Sequence, residues 1–123
     1  MTAIKPLILV VDDEALIRFN AADILEEGGF AVVEAANAEN ALRVMAARPN
    51  IRLLFTDIHL PGTFDGLELT RRVRKRWPGV QFIITSGRVQ PNAAEFPLES
   101  SFLPKPYSDA DLLARVTGLI GPP

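Results

Sequence analysis

Leu53-Leu54-Phe55-Thr56-Asp57-Ile58-His59-Leu60-Pro61-Gly62 is an apolar run that ends in a single carboxylate and then in turn residues. An uninterrupted apolar run with turn residues behind it reads as a strand buried on both faces, the kind found in parallel sheets. That reading puts Asp57 at the carboxyl end of a central strand. In open α/β sheets ligands bind at that edge, because the loops diverge there and leave a crevice. What the rest of the sequence delivers to the same edge decides what the crevice does.

Towards the N-terminus, Pro6-Leu7-Ile8-Leu9-Val10-Val11 is a second β-branched run, stopped by Asp12-Asp13-Glu14. From Ala15 the apolar spacing turns helical through Ile17, Ala21, Ile24 and Leu25, closed by Gly28-Gly29. Residues 30–35 form a short strand, and Ala38, Ala41, Leu42 and Met45 form a helical face ended by Pro49. Towards the C-terminus, Asp65 followed three residues later by Glu68 marks a helix start, continued by Leu69, Val73 and Trp77 and stopped by Pro78-Gly79. Residues 80–85 are a fourth strand that ends in the hydroxyl of Thr85. The stretch from Gly87 to Ser101 contains Pro91 and Pro97 and no clean period, so the helix expected there is short or irregular. Ser101-Phe102-Leu103-Pro104 is a minimal fifth strand, placed at the sheet edge by Pro104, and Ser108 opens a last helix with Leu112, Val116, Leu119 and Ile120 inward.

Five strands alternating with helical stretches predict an α/β fold, a parallel sheet covered on both faces, built as one domain over residues 1–123. The expected strand order is 2-1-3-4-5, the flavodoxin-like arrangement, with its switch point between the first and third strands. Asp12, Asp13 and Asp57 flank that point. The chain has 123 residues and no cysteine, which excludes disulfides and thiolate metal sites and makes a reducing cytoplasm the simplest compartment. No apolar run is long enough to span a bilayer, and no membrane association is expected. With 15 acidic and 13 basic residues the net charge is -2, so no global field draws the chain to nucleic acid. Residues 71–76 hold five basic side chains, but Leu69, Val73 and Trp77 mark the buried face of that helix and leave the charges to its solvated side.

Three carboxylates at neighbouring strand ends repel one another and call for a cation. Oxygen ligands with no cysteine or histidine side chain among them suit Mg²⁺, or Mn²⁺ in its place. Lys105 and Thr85 reach the same edge from the other two strands, offering an ammonium and a hydroxyl to phosphoryl oxygens, with Asp57 as the nucleophile. Singly, each residue has a duller reading: a helix cap for Asp12 or Asp13, a turn residue for Asp57, a surface charge for Lys105, a strand former for Thr85. Their joint arrival at one edge favours the functional reading.

Val10-Val11-Asp12-Asp13-Glu14, Thr56 to Gly62, Asp65-Gly66, Ile83-Ile84-Thr85-Ser86-Gly87 and Phe102-Leu103-Pro104-Lys105-Pro106 stand in the order and cover nearly the whole length of a response-regulator receiver domain of two-component signalling, which the chain resembles. The resemblance implies a stand-alone receiver in which Asp57 takes a phosphoryl group from a sensor histidine kinase or a histidine phosphotransfer protein. It implies Mg²⁺ held directly by Asp13, Asp57 and the backbone carbonyl of His59, with Asp12 acting largely through water. It further implies that Thr85 and Phe102 are the moving parts of a switch that regulates a downstream protein, that a homodimer is compatible, and that Lys105-Pro106 is a cis bond. Phe102 stands where the family most often has tyrosine, so any coupling there works through packing. The segment between Pro61 and Asp65 is one residue longer than the commonest family pattern.

Two other classes compete with that reading. One is a phosphorylation-independent interaction module, disfavoured because a dead site need not retain Asp12, Asp13, Thr85 and Lys105 together. The other is a small aspartyl phosphatase, disfavoured because His59, not a second carboxylate, stands two residues after Asp57. His59 is expected at most to tune dephosphorylation. The protein reads as a switch that catalyses only its own modification and slow hydrolysis, not as a turnover enzyme.

Overall fold

The computed structural model describes residues 4–87 and 100–123. The described elements are β1 (Leu7–Val11), α1 (Ala15–Glu27), β2 (Ala31–Ala35), α2 (Ala38–Ala47), β3 (Ile51–Asp57), α3 (Gly66–Arg76), β4 (Gln81–Ser86), β5 (Ser100–Pro104) and α4 (Asp109–Ile120), in that order. All pairings are parallel and the sheet order is β2-β1-β3-β4-β5, as the sequence predicts. The short helix expected between Gly87 and Ser101 falls outside the described residues; α4 is the last helix of the sequence reading.

Successive strand side chains point to opposite faces, which is why the strands read as unbroken apolar runs. Leu7, Leu9 and Val11 of β1 enter the core beneath α2 and α3, together with Ala38, Ala41, Met45, Leu69 and Val73. Ile8 and Val10 enter the opposite core with Ala21, Ile24 and Leu25 of α1 and Leu112 and Val116 of α4. Leu53 and Leu54 on β3, like Ile83 and Ile84 on β4, are fully buried. β3 begins at Ile51, two residues before the apolar run suggested, because Arg52 faces solvent at the strand entrance where the β1 pairing shifts register. The charges of α3 lie outward: Arg71 and Arg72 pair with Glu68, while Val73 is buried and Arg76 stacks over Trp77. Among the described residues no helix is long and apolar enough to cross a membrane.

Two local devices hold the functional edge. Asp65 caps α3, its carboxylate accepting the Glu68 amide at 2.9 Å, as the sequence spacing predicts. Gly66 then follows, and its amide donates to the Ile58 carbonyl at 2.8 Å. A Cβ at position 66 would drive into the backbone carbonyl of Asp57, so only glycine lets α3 start against the end of β3. Gly66→Ala is therefore expected to destabilise the fold by about 3 kcal/mol, in the upper range for overpacked sites, whereas Gly79→Ala, where nothing lies near, is expected to be close to neutral; urea denaturation of the two variants checks this.

Candidate functional site

Three strand ends are stitched together beyond their ladders. The Asp12 amide donates to the Ala35 carbonyl at 3.2 Å, the Ile58 amide to the Thr85 carbonyl at 3.0 Å and the Lys105 amide to the Ser86 carbonyl at 3.1 Å. This backbone lattice brings residues 12, 57, 85 and 105 to one edge from four different strands or strand ends. The Lys105-Pro106 bond is cis.

The Lys105 ammonium lies between two buried carboxylates, donating to Asp57 Oδ2 at 2.6 Å and to Asp12 Oδ2 at 3.0 Å. Each carboxylate has its second oxygen on a backbone amide: Asp57 Oδ1 accepts from His59 and Asp12 Oδ1 from Glu14, both at 2.9 Å. Neither Asp12 nor Asp13 caps α1; its N-cap is Glu14, whose side chain makes no cap bond. Burial pulls the Lys105 ammonium towards deprotonation, but hydrogen bonds to Asp57 and Asp12, and their charges, outweigh it, so its pKa stands above the ordinary lysine value. Beside this pair a cleft of about 230 Å³ is lined by Asp13, Glu14, Ile17, Asp57, His59 and Lys105, among others. Asp13 is exposed at its rim.

Thr85 stands directly across from Asp57 in the β3–β4 register, but its hydroxyl is turned to β5, donating to the Leu103 carbonyl at 2.6 Å. Phe102 is half-buried against Ile58, Leu67 and Ile84 on the far side of β4. Its carbonyl accepts from Arg115 of α4 at 2.6 Å. His59 is exposed, and its amide, not its imidazole, makes the contact with Asp57.

Three participants were not singled out from the sequence. Arg18 of α1 donates to the Asp12 carbonyl at 2.8 Å and pairs with Glu34 of β2 at 3.0 Å. It lies one turn before the buried Ala21 and Ala22 of α1, and the sequence spacing carried no signal for the acceptors it takes on β1 and β2. Glu39, in the first turn of α2, accepts from the Thr63 amide at 3.1 Å and from its hydroxyl, tying down the lengthened loop after Pro61. The hydroxyl bond holds the Glu39 carboxyl below its ordinary pKa. Tyr107, two residues beyond Lys105, packs edge-on against Phe55 with ring centroids 5.7 Å apart.

The family model for the response regulator receiver domain matches residues 8–117. The chain belongs to that family. The receiver is 38% identical over 115 residues to the nitrogen assimilation regulatory protein NtrX of Azorhizobium caulinodans, covering 89% of this chain and 25% of that protein. It is 32% identical to the sensor kinase CckA of Brucella abortus over 92% of this chain and 12% of that one. The chain thus spans a quarter or less of the curated relatives it matches. Among solved structures, a response regulator receiver protein from Sinorhizobium medicae superposes with a TM-score of 0.88 at 27% identity, covering 94% of each chain. A CheY-like receiver domain protein from Methanospirillum hungatei gives 0.84 at 30% identity, over 94% of this chain and 93% of that one.

The carboxylates of Asp12, Asp13 and Asp57 form an all-oxygen donor set of the kind hard divalent ions prefer, and the cleft beside them has room for an ion with its waters. Among the described residues no three acidic, histidine or cysteine side chains are already gathered as a metal cage. The ammonium occupies one oxygen of Asp12 and one of Asp57. The donors fit the ion in chemistry and in space, with Lys105 as its competitor.

Tyr107 is the only tyrosine in the receiver, and burial, partly opposed by the Lys105 charge, pushes its hydroxyl up to about 12. Both Tyr107 and Lys105 bind their protons more tightly in the folded than in the unfolded chain, so their contribution to stability is complete below about pH 10 and is lost as pH rises through the folded values. Phenolate absorbance of the native protein is expected to titrate near pH 12, against about 10 in denaturant, and stability measured by denaturation is expected to fall steadily across that interval.

Proposed function

We propose that this receiver is a phosphoaccepting switch whose acceptor is Asp57. An Asp57 carboxylate oxygen attacks phosphorus, the bond from phosphorus to a donor histidine nitrogen breaks, and the imidazole leaves with that bonding pair. The donor is a sensor histidine kinase or a histidine phosphotransfer protein. Lys105 shifts from the carboxylate to the incoming phosphoryl oxygens, and the Thr85 hydroxyl leaves the Leu103 carbonyl to join it; positioning and charge neutralisation are most of what such a transfer needs. Mg²⁺, or Mn²⁺, would be held by Asp13, Asp57 and the carbonyl of His59, with Asp12 through water, and would supply charge neutralisation at the phosphoryl group. Phe102 is the aromatic that responds when Thr85 moves, acting through packing because it has no hydroxyl. The resulting population shift regulates a downstream protein partner in the cytoplasm. Turnover is confined to the receiver's own phosphorylation and slow hydrolysis.

The observation that carries this reading is the Lys105 ammonium shared by Asp57 and Asp12 at the open end of the sheet. A cation already seated on the acceptor's oxygen is positioned for the charge that arrives with a phosphoryl group. Acetyl phosphate with Mg²⁺ is expected to add one phosphoryl group to the wild-type chain, seen by intact-mass spectrometry. Asp57→Asn should add none, and Lys105→Ala should slow the reaction by about 10²-fold, the usual cost of removing one charge-stabilising donor. A wild-type chain that stays unmodified, or one that releases phosphate over many cycles, refutes the proposal in favour of a binding module or a phosphatase respectively.

A further inference from the structure

We infer that Arg18 is a positioning residue for the acidic pocket, fixing Asp12 from behind so that its carboxylate stays directed at the cleft; the inference rests on the phosphoacceptor reading above. Asp12 is held at four points. Its amide donates to the Ala35 carbonyl and its own carbonyl accepts from Arg18 Nη1 at 2.8 Å, while its two carboxylate oxygens accept from the Glu14 amide and Lys105. Lys105 is the holder that gives way when the site is filled. Arg18 holds Asp12 by its backbone carbonyl, so it restrains the residue without occupying either carboxylate oxygen.

The geometry suits arginine alone. Nε reaches Glu34 Oε1 at 3.0 Å while Nη1 reaches the Asp12 carbonyl, so one rigid fork spans β2 and the end of β1. The side chain is 15% exposed, largely sheltered from competing water. A lysine ammonium on a flexible stem can take either acceptor but does not fix the angle between them.

Positioning and plain electrostatics predict opposite signs. Deleting a positive charge near an acidic pocket should by Coulomb's law tighten divalent-ion binding. Loss of a positioning contact should weaken it. The test titrates Mg²⁺ into the whole chain while following the amide resonances of Asp13, Asp57 and His59 by NMR, with thermal melting run alongside. Arg18→Ala and Arg18→Lys are both expected to raise the Mg²⁺ Kd about fivefold, the loss of one ordinary hydrogen bond, and to speed hydrogen exchange at the Glu14 amide. Glu34→Gln removes a negative charge and so weakens Mg²⁺ binding by Coulomb's law on either account; if the Arg18 variants do not fold, its readout is the Glu14 amide, whose exchange should speed up as the guanidinium loses its anchor, and unchanged exchange there overturns the inference. Binding in Arg18→Ala that is unchanged or tighter overturns the inference, as does Arg18→Lys binding like wild type, which would make charge the whole effect. If wild-type resonances ignore Mg²⁺, the phosphoacceptor reading itself fails, a result distinct from either.

Discussion

The structure depends on one ammonium holding two carboxylates together where water is scarce. Asp12 and Asp57 are both buried, and two like charges set side by side at the end of a sheet would repel strongly without a partner. Lys105 supplies that partner from the end of a third strand, relieving the repulsion through tertiary structure while leaving the pocket net negative. The same arrangement makes the pocket replaceable in content. Any ligand that brings its own charge competes with a side chain on a flexible stem, which can move without disturbing the backbone bonds that hold the strands.

The sheet order makes this meeting unavoidable. A parallel sheet sends every carboxyl end to the same side, and the order β2-β1-β3-β4-β5 places β1 beside β3 and β4 beside both β3 and β5. Residues 45 to 93 positions apart in sequence thus become neighbours. The helices that make the crossovers bury Leu, Ile and Val from both faces, and the stability of those two cores holds the polar edge in place.

The parts legible in the sequence were those set by periodicity and by punctuation. Unbroken runs of apolar residues marked the strands, and the Asp65 and Ser108 caps fell where spacing put them because a side-chain oxygen three residues ahead of an amide is a local arrangement. The convergence of Asp12, Asp57, Thr85 and Lys105 followed from topology. What spacing could not show was the partner each side chain takes. That Thr85 faces a β5 carbonyl, that Lys105 rests on the carboxylates, and that Arg18 and Glu39 reach across to neighbouring elements all depend on distances between segments remote in sequence. The early start of β3 was hidden for a simpler reason: a single exposed arginine interrupts the hydrophobic pattern where the strand is still paired.

Arg115 on α4 binds both the Ser101 hydroxyl and the Phe102 carbonyl of β5, the outermost strand. A bare outer strand is a template on which other chains can add, and proteins commonly guard it with bulky cations. Here the guard is also a tether, because the carbonyl it grips belongs to the residue whose ring packs over Ile84. One guanidinium thus occupies a carbonyl of the outermost strand and links α4 to the residue that carries that ring, and a substitution that removed it would loosen both contacts at once.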